Sequence, residues 1–335
     1  MAPVTRARAA TLHDVARRVG VGKTTASDAL SGTGRVSPDT RAAVLAAAEE
    51  LGYVPNQAAR RLRKSTTETI ALYLPETPTR SQFYMLFVFG VLERMAPSEY
   101  DVTVVFGGSG RRRVPRADGL IVSDPLAGDP FARRLLDAGL PVVSAEHAVD
   151  GPDPGGVVWT PHDAAVRELL DHLASAGAQR PALLVPAAGT DWAARIRRGF
   201  DDWCASRGID GPVRDVNFVP TTPELAATVG DLLREHPETD AVVCAPTEGA
   251  AMMLPALREL GRRPGENLLL ANCTDSTTLQ LTDPSITALD TLPRELGSRC
   301  AELLLDVMAG RADPHTEVEM PYRLMPRAST RRLAR

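Results

Sequence analysis

Residues 11–30 of this 335-residue chain read TLHDVARRVGVGKTTASDAL, a spacing that predicts two short helices joined by a tight turn. Thr11 and Asp14 stand three apart, as in a capping box. The threonine side chain accepts a backbone N–H while the aspartate reaches back to the cap. Gly20 suits a helix stop, because glycine enters the left-handed region without steric cost. After Val21-Gly22 a second helix runs from Lys23 to Leu30. Helices joined this way form a helix-turn-helix, whose second helix lies in the DNA major groove. Outward from there, Ser37-Pro38 is an N-cap with proline at the first helical position. Residues 41–51 then place Ala43, Val44, Ala47 and Leu51 on one face before Gly52 ends the helix. Val15, Val19, Leu30, Val44 and Leu51 are the expected core of this three-helix head.

The charge distribution fits a head that meets phosphate. The chain carries a net charge of −4. Residues 1–65 nevertheless hold 11 Lys+Arg against 5 Asp+Glu, leaving 27 against 37 in the remainder. A basic head on an acidic body confines nucleic-acid binding to the head. Cys204, Cys244, Cys273 and Cys300 lie far apart, without metal-like spacing, and read as reduced thiols of a cytoplasmic protein. The basic N-terminus has no apolar run behind it and does not read as a secretory signal. No stretch approaches membrane-spanning length, so no membrane partner is expected.

The wording of the head resembles the lactose-repressor (LacI/GalR) family of transcription factors. The resemblance rests on Asp14-Val15-Ala16, Gly20-Val21, Ser27, Arg35-Val36-Ser37, Thr40-Arg41, Val44-Leu45-Ala46-Ala47-Ala48, Leu51-Gly52-Tyr53 and Pro55-Asn56. It implies that Leu12, Lys23 and Thr24 read bases, with Lys23 and Thr24 as the main specificity pair. Lysine donates to guanine O6 and N7, and threonine bonds a base edge or touches a thymine methyl. Thr11, Thr25, Ser27, Arg35, Thr40, Tyr53 and Asn56 match family positions that contact phosphates and set register without reading sequence. Asp28 departs from the family pattern, which has arginine there. A carboxylate accepts from cytosine N4 but is repelled by phosphate. Asp28 therefore either faces a cytosine or forms an internal ion pair with Lys23 or a nearby arginine. Residues 55–63 resemble the family's hinge helix, which implies that Leu62 wedges into a central base step in the minor groove. Taken alone, the same stretch is an ordinary basic linker.

From Thr69 onward, short apolar runs alternate with helical patterns, which argues for parallel sheets covered by helices on both faces. Strands are expected at 70–74, 102–106, 120–123, 142–144, 182–185, 241–245 and 268–271. Helices are expected at 83–95, 130–138, 164–176, 191–207, 223–236, 249–260 and 294–308. The resemblance implies a two-lobed body like a periplasmic sugar-binding protein, crossed three times by the chain near 158–162, 289–293 and 322–326. The fold class is thus α/β, a helix-turn-helix head (1–54) and hinge (55–67) before a parallel-sheet body (68–335). Lobe 1 would take about 68–160 and 292–322, and lobe 2 about 161–291 and 323–335. Only residues 107–118 separate the second and third strands, where the family has a helix, so the first lobe reads as trimmed.

The ligand cleft departs further. Sugar-binding members carry an arginine three residues before a Gly-aromatic pair, then an Asn-Asp pair, then a late aspartate. Here those places hold Ile196 before Gly199-Phe200, Pro246-Thr247, and Asn272-Cys273. Polar groups that hold hydroxyls in pairs are not replaced without changing the ligand. Nearby candidates are Arg195, Glu248, Thr274 and Asp275. Phe83, Tyr84 and Trp159 offer stacking surface or core, and Asp124 and Glu146 end strands as ligand groups or as surface carboxylates. The effector residues are therefore expected among Tyr84, Asp124, Trp159, Arg195, Glu248 and Asp275, and the effector is of atypical chemistry. No Ser/His/Asp set, phosphate loop or metal spacing is evident, so neither catalytic residues nor cofactor nor metal is expected. The function expected is a homodimeric repressor of a palindromic double-stranded DNA operator. The alternatives are a regulator whose body has lost its effector and a non-regulatory binding protein.

Overall fold

The computed structural model describes residues 10–32, 34–53, 66–75, 81–107, 113–149, 153, 155–187 and 189–331. The hinge reading of residues 55–63, with Asn56 and Leu62, lies outside them. Two compact units divide the chain, residues 1–66 and 67–335.

In the first unit, α1 (Leu12–Val19), α2 (Lys23–Ser31) and α3 (Pro38–Glu50) enclose Val15, Ala16, Ala26, Ala29, Val44, Ala47 and Ala48. The Thr11–Asp14 capping box opens α1, and Gly20 closes it at φ 74°. Ser37 caps α3 by accepting from the Thr40 N–H. The buried face of α3 differs from the expected one at two positions. Ala43 and Leu51 are exposed and Ala48 is inside instead. The buried stripe follows 44, 47 and 48, the i, i+3, i+4 rows that face α1 and α2.

The second unit holds two six-stranded sheets. Sheet 1 orders β11 (Glu317–Glu319), β5 (Gly156–Trp159), β4 (Val142–Ala145), β3 (Gly119–Ser123), β1 (Thr69–Leu74) and β2 (Asp101–Phe106). Sheet 2 orders β12 (Arg323–Met325), β10 (Thr287–Asp290), β9 (Leu269–Asn272), β8 (Ala241–Cys244), β6 (Pro181–Pro186) and β7 (Val213–Val216). All pairings are parallel except β10 with β12. The inner strands are buried on both faces, and alternation sorts their side chains. In β1, Ile70, Leu72 and Leu74 join one core while Ala71 and Tyr73 join another. In β8, Ala241 and Val243 join one and Val242 and Cys244 the other.

In lobe 1, α4 (Gln82–Met95) and α11 (Pro293–Met308) pack together with sheet 1 on Phe87, Val91, Leu296 and Leu304, while α5 (Pro130–Leu136) adds Phe131 and Leu135 to the core on the other face. Two glycines set the α4–α11 distance. A Cβ built on Gly90 would stand 1.9 Å from the Arg294 carbonyl oxygen, and one on Gly297 2.1 Å from that of Phe87. In lobe 2, α6 (His162–Ser175) and α7 (Asp191–Ser206) cover one face, and α8 (Thr222–Glu235), α9 (Gly249–Glu259) and the short α10 (Thr277–Leu281) the other.

The chain passes between the sheets after β5, after β10 and after β11. The last passage occupies 320–322, earlier than the expected 322–326, because the short strand β12 already begins at Arg323. Strands β5, β7, β10, β11 and β12 lie outside the expected set, although β4, β8 and β9 are as short; charged or polar residues interrupt β7, β10, β11 and β12. No helix lies between β2 and β3 among the described residues, and Asp101, Thr103 and Phe106 of β2 are exposed. No described helix is long and apolar enough to cross a membrane. All four cysteines are buried and unbridged.

Candidate nucleic-acid interface and ligand cleft

The head presents the N-terminal end of α2. Lys23 and Thr24 are exposed there, and Gly22 supplies no side-chain cap. The first N–H groups of the helix are therefore free for an anion, with the helix dipole favouring one. Thr25 and Ser27 are half-buried on the same helix, and Arg35 is exposed on the following turn. Other family-matched positions already work within the fold. The Thr11 hydroxyl donates to Asp14 Oδ2 at 2.6 Å, and Thr40 receives the Ser37 hydroxyl at 2.8 Å. Tyr53 and Leu12 are half-buried against the head core, so each exposes only its outer edge.

Asp28, one turn beyond Thr24, has no ion pair with Lys23, Arg35 or Arg41. Its carboxylate lies on Gly34, where a Cβ would come within 2.8 Å of Oδ2. Gly34 has φ +72°, so glycine is needed there for both backbone and space. The internal ion pair weighed from the sequence is thus absent among the described residues.

Between the two lobes lies a cavity of about 320 Å³. Its floor is the carboxyl edge of sheet 1, where ligands collect in open α/β folds. Asp124 follows β3 and Glu146 follows β4, and both line the cavity. Neither is a surface carboxylate, since they are 5% and 4% exposed. The backbone turns there through the left-handed region, with φ 44° at Asp124 and 73° at Glu146. Glu248, on the lobe 2 wall, does the same at φ 62°. Non-glycine residues in this region are uncommon and gather at functional sites. The Tyr84 hydroxyl donates to Asp124 Oδ2 at 2.6 Å, and His162 Nε2 stands 3.1 Å from Glu146 Oε1. Burial, opposed by the Tyr84 hydrogen bond and reinforced by the Glu146 charge, lifts the Asp124 carboxyl to about 7. Burial and the neighbouring Asp124 carboxylate hold the Tyr84 phenol well above its ordinary value.

Aromatic rings form the walls. Phe83 and Tyr84 meet edge to face at 5.3 Å, and Trp192 and Phe218 are tilted at 5.9 Å. Across the cleft mouth, Gln82 exchanges two hydrogen bonds with Thr277 at 2.8 and 3.0 Å.

Of the expected effector residues, Tyr84, Asp124 and Glu248 line the cavity, together with Phe83, Glu146 and Thr274. Trp159 and Arg195 do not. The guanidinium lies over the Trp159 ring at 4.6 Å and is held by Asp191. Asp275 is also spent, paired with Arg327 at 2.6 and 2.8 Å. Asn272, at the family's late aspartate, is buried and structural: it accepts from the Ala250 N–H and donates to the Pro246 and Thr274 carbonyls. His162, Trp192 and Phe218 escaped the sequence reading. Their only signal was position, just beyond a strand and at the start of a helix or loop. His147, Asp153 and Glu317 group metal-ligand atoms within 4.8 Å of one another, outside this cavity and with Glu317 exposed.

Residues 11–56 match the family described as bacterial regulatory proteins, lacI family, and residues 170–330 match the periplasmic binding protein-like domain. The HTH-type transcriptional regulator CelR of Thermobifida fusca is 29% identical over 97% of this chain and 99% of its own length. The maltose regulon regulatory protein MalI of Escherichia coli K12 is 28% identical, covering 95% and 98%. A solved complex of the transcriptional regulator CelR with cellobiose superposes with TM-score 0.72 at 26% identity, covering 96% of this chain and 99% of that one. The Lac repressor dimer bound to operator and the anti-inducer ONPF superposes at TM-score 0.82 over 97% and 100%, and its 22% identity speaks for the fold alone.

Proposed function

Because this chain belongs to the lactose-repressor (LacI) family, we propose that it is a dimeric, cytoplasmic repressor that reads a palindromic operator and answers to a small effector. The reading takes residues 1–54 as the DNA head, 55–67 as a hinge and 68–335 as the effector-binding body. One observation carries it: a basic head displays Lys23 and Thr24 at the uncapped start of its second helix. Asp28 shares a helix face with Thr24 and is assigned a cytosine, since no described cation neutralises it. Two-fold symmetry follows from the short site that a single recognition helix can read. A surface for it is present, because Met85, Phe89 and Leu92 of α4 are all more than 40% exposed at i, i+4 and i+7 spacing. Relatives are named for sugar operons or are seen with cellobiose. This cleft lacks the arginine and Asn-Asp pattern that the family resemblance implies for sugar binding, so its effector is of another class. The role is binding without catalysis, and no cofactor is assigned.

Selection of sites from a random duplex pool, followed by affinity measured across salt, tests the proposal. A palindrome with a central CG step, bound far more tightly than random DNA, is the expected result. Binding without any motif and with a steep salt slope would leave only phosphate attraction and end the operator reading.

A further inference from the structure

The charge of the cleft narrows the effector's chemistry, given the effector-cleft reading above. Asp124 and Glu146 come off neighbouring parallel strands whose preceding residues, Ser123 and Ala145, are register partners. Two acids thus leave one sheet edge side by side, and both are buried. Glu146 Oε1 is occupied by the Thr160 N–H at 3.2 Å and by His162. Glu146 Oε2 is fully sheltered and has no hydrogen-bond partner among the described residues, and neither has the Thr291 hydroxyl on the same wall. A buried carboxylate oxygen without a donor is costly, which makes it a seat for a ligand's donor. Glu248 adds a third acid from lobe 2. Against these three, no lysine or arginine lines the cavity among the described residues, and His162 is the sole basic side chain.

We propose that the cleft takes a ligand bearing a protonated amine, with its nitrogen between Asp124 and Glu146 and its carbon frame against Trp192 and Phe218. A cation is attracted both by the acids and by the faces of the surrounding rings. An anion meets only repulsion. A neutral polyol meets hydroxyls such as those of Thr247, Thr274 and Thr291, but it brings no charge to offset the buried acids. A cation held by lobe 1 acids and facing Glu248 favours closed lobes, which supplies the differential affinity a switch needs.

Calorimetric titration of the full-length protein uses matched pairs that differ by one amine: glucosamine against glucose, and phenethylamine against phenylethyl alcohol, with gluconate as the anion. In at least one pair the amine binds ~10-fold or more tightly than its neutral partner. Asp124→Asn and Glu146→Gln each weaken that amine by roughly 100-fold, and the neutral partner by far less. Both replacements keep shape, and either alone carries the test once its melting curve shows a folded protein. The wild-type pair comparison needs no variant. Equal or tighter binding of the neutral partners, binding of gluconate, or no binding across the panel overturns the proposal. Operator affinity is measured on the same wild-type samples. An amine preference without sequence-specific DNA binding removes the regulator reading and leaves the site, and the reverse result removes the site alone.

Discussion

Replacing Gly90 by alanine in α4 should do the opposite of the same change at Gly230 in α8. Both lie inside helices, where alanine alone gains about 1 kcal/mol over glycine through backbone entropy. At Gly230 nothing lies within 4 Å of an added Cβ, so that gain is realised in full. At Gly90 the methyl would stand 1.9 Å from the Arg294 carbonyl oxygen, 2.8 Å from its carbon and 2.9 Å from the Ser298 nitrogen. Those are backbone atoms of α11 and cannot rotate away. Restoring ordinary contact means parting the helices by roughly 1.5 Å, which loosens Phe87, Val91, Leu296 and Leu304 along the whole seam. Overpacking of this kind costs about 3 kcal/mol or more, leaving a net loss of about 2 kcal/mol after the helix gain. For a body of this size that lowers the melting temperature by roughly 4–8 °C, while Gly230→Ala raises it by about 2–4 °C. Far-UV circular dichroism melts of the full chain read both. An unchanged or raised melting temperature for Gly90→Ala would show that α4 and α11 do not touch through their backbones. Because α4 also carries Met85, Phe89 and Leu92, the same variant should weaken the dimer.

Lys23→Ala and Thr24→Ala should each cost about 1–3 kcal/mol on the selected operator and relax preference at one base pair, read by competition binding; uniform loss across sequences would assign them to phosphate. Leu62→Ala should weaken operator binding far more than random-DNA binding, and equal losses would count against a wedge. Phe89→Asp should shift the protein toward monomer in sedimentation velocity, since a charge on an apolar interface is desolvated on association; an unchanged dimer would move the interface elsewhere. The Asp124 carboxyl, lifted by burial from 3.8 to about 7, makes the folded state bind more protons than the unfolded chain between those values. Stability from this group therefore falls as pH rises through that window. Asp124→Asn should remove that part of the slope and gain most over wild type above pH 7; parallel melting-temperature profiles would contradict it.

Local interactions determine the head, which is why residues 11–53 could be read directly. Its caps at Thr11, Gly20, Ser37 and Gly52 act within a few positions of chain, and its core repeats at helical spacing. The alternation of strands and helices in the body was legible for the same reason, since a buried parallel strand is a run of apolar residues wherever it lies. The cleft was not, because nothing local decides which side chains meet there. Asp124 and Glu146 turn inward because two strands end in register and the backbone bends left-handed after each. Asp275 looked equally available, yet Arg327, fifty-two positions later, claims it. Trp159 and Trp192 are the same residue type, yet Arg195 and His147 pack on the first while the second lines the cavity. Convergence across lobes that the chain crosses three times is a property of the packed structure, because the energy that selects it comes from contacts between residues far apart in sequence.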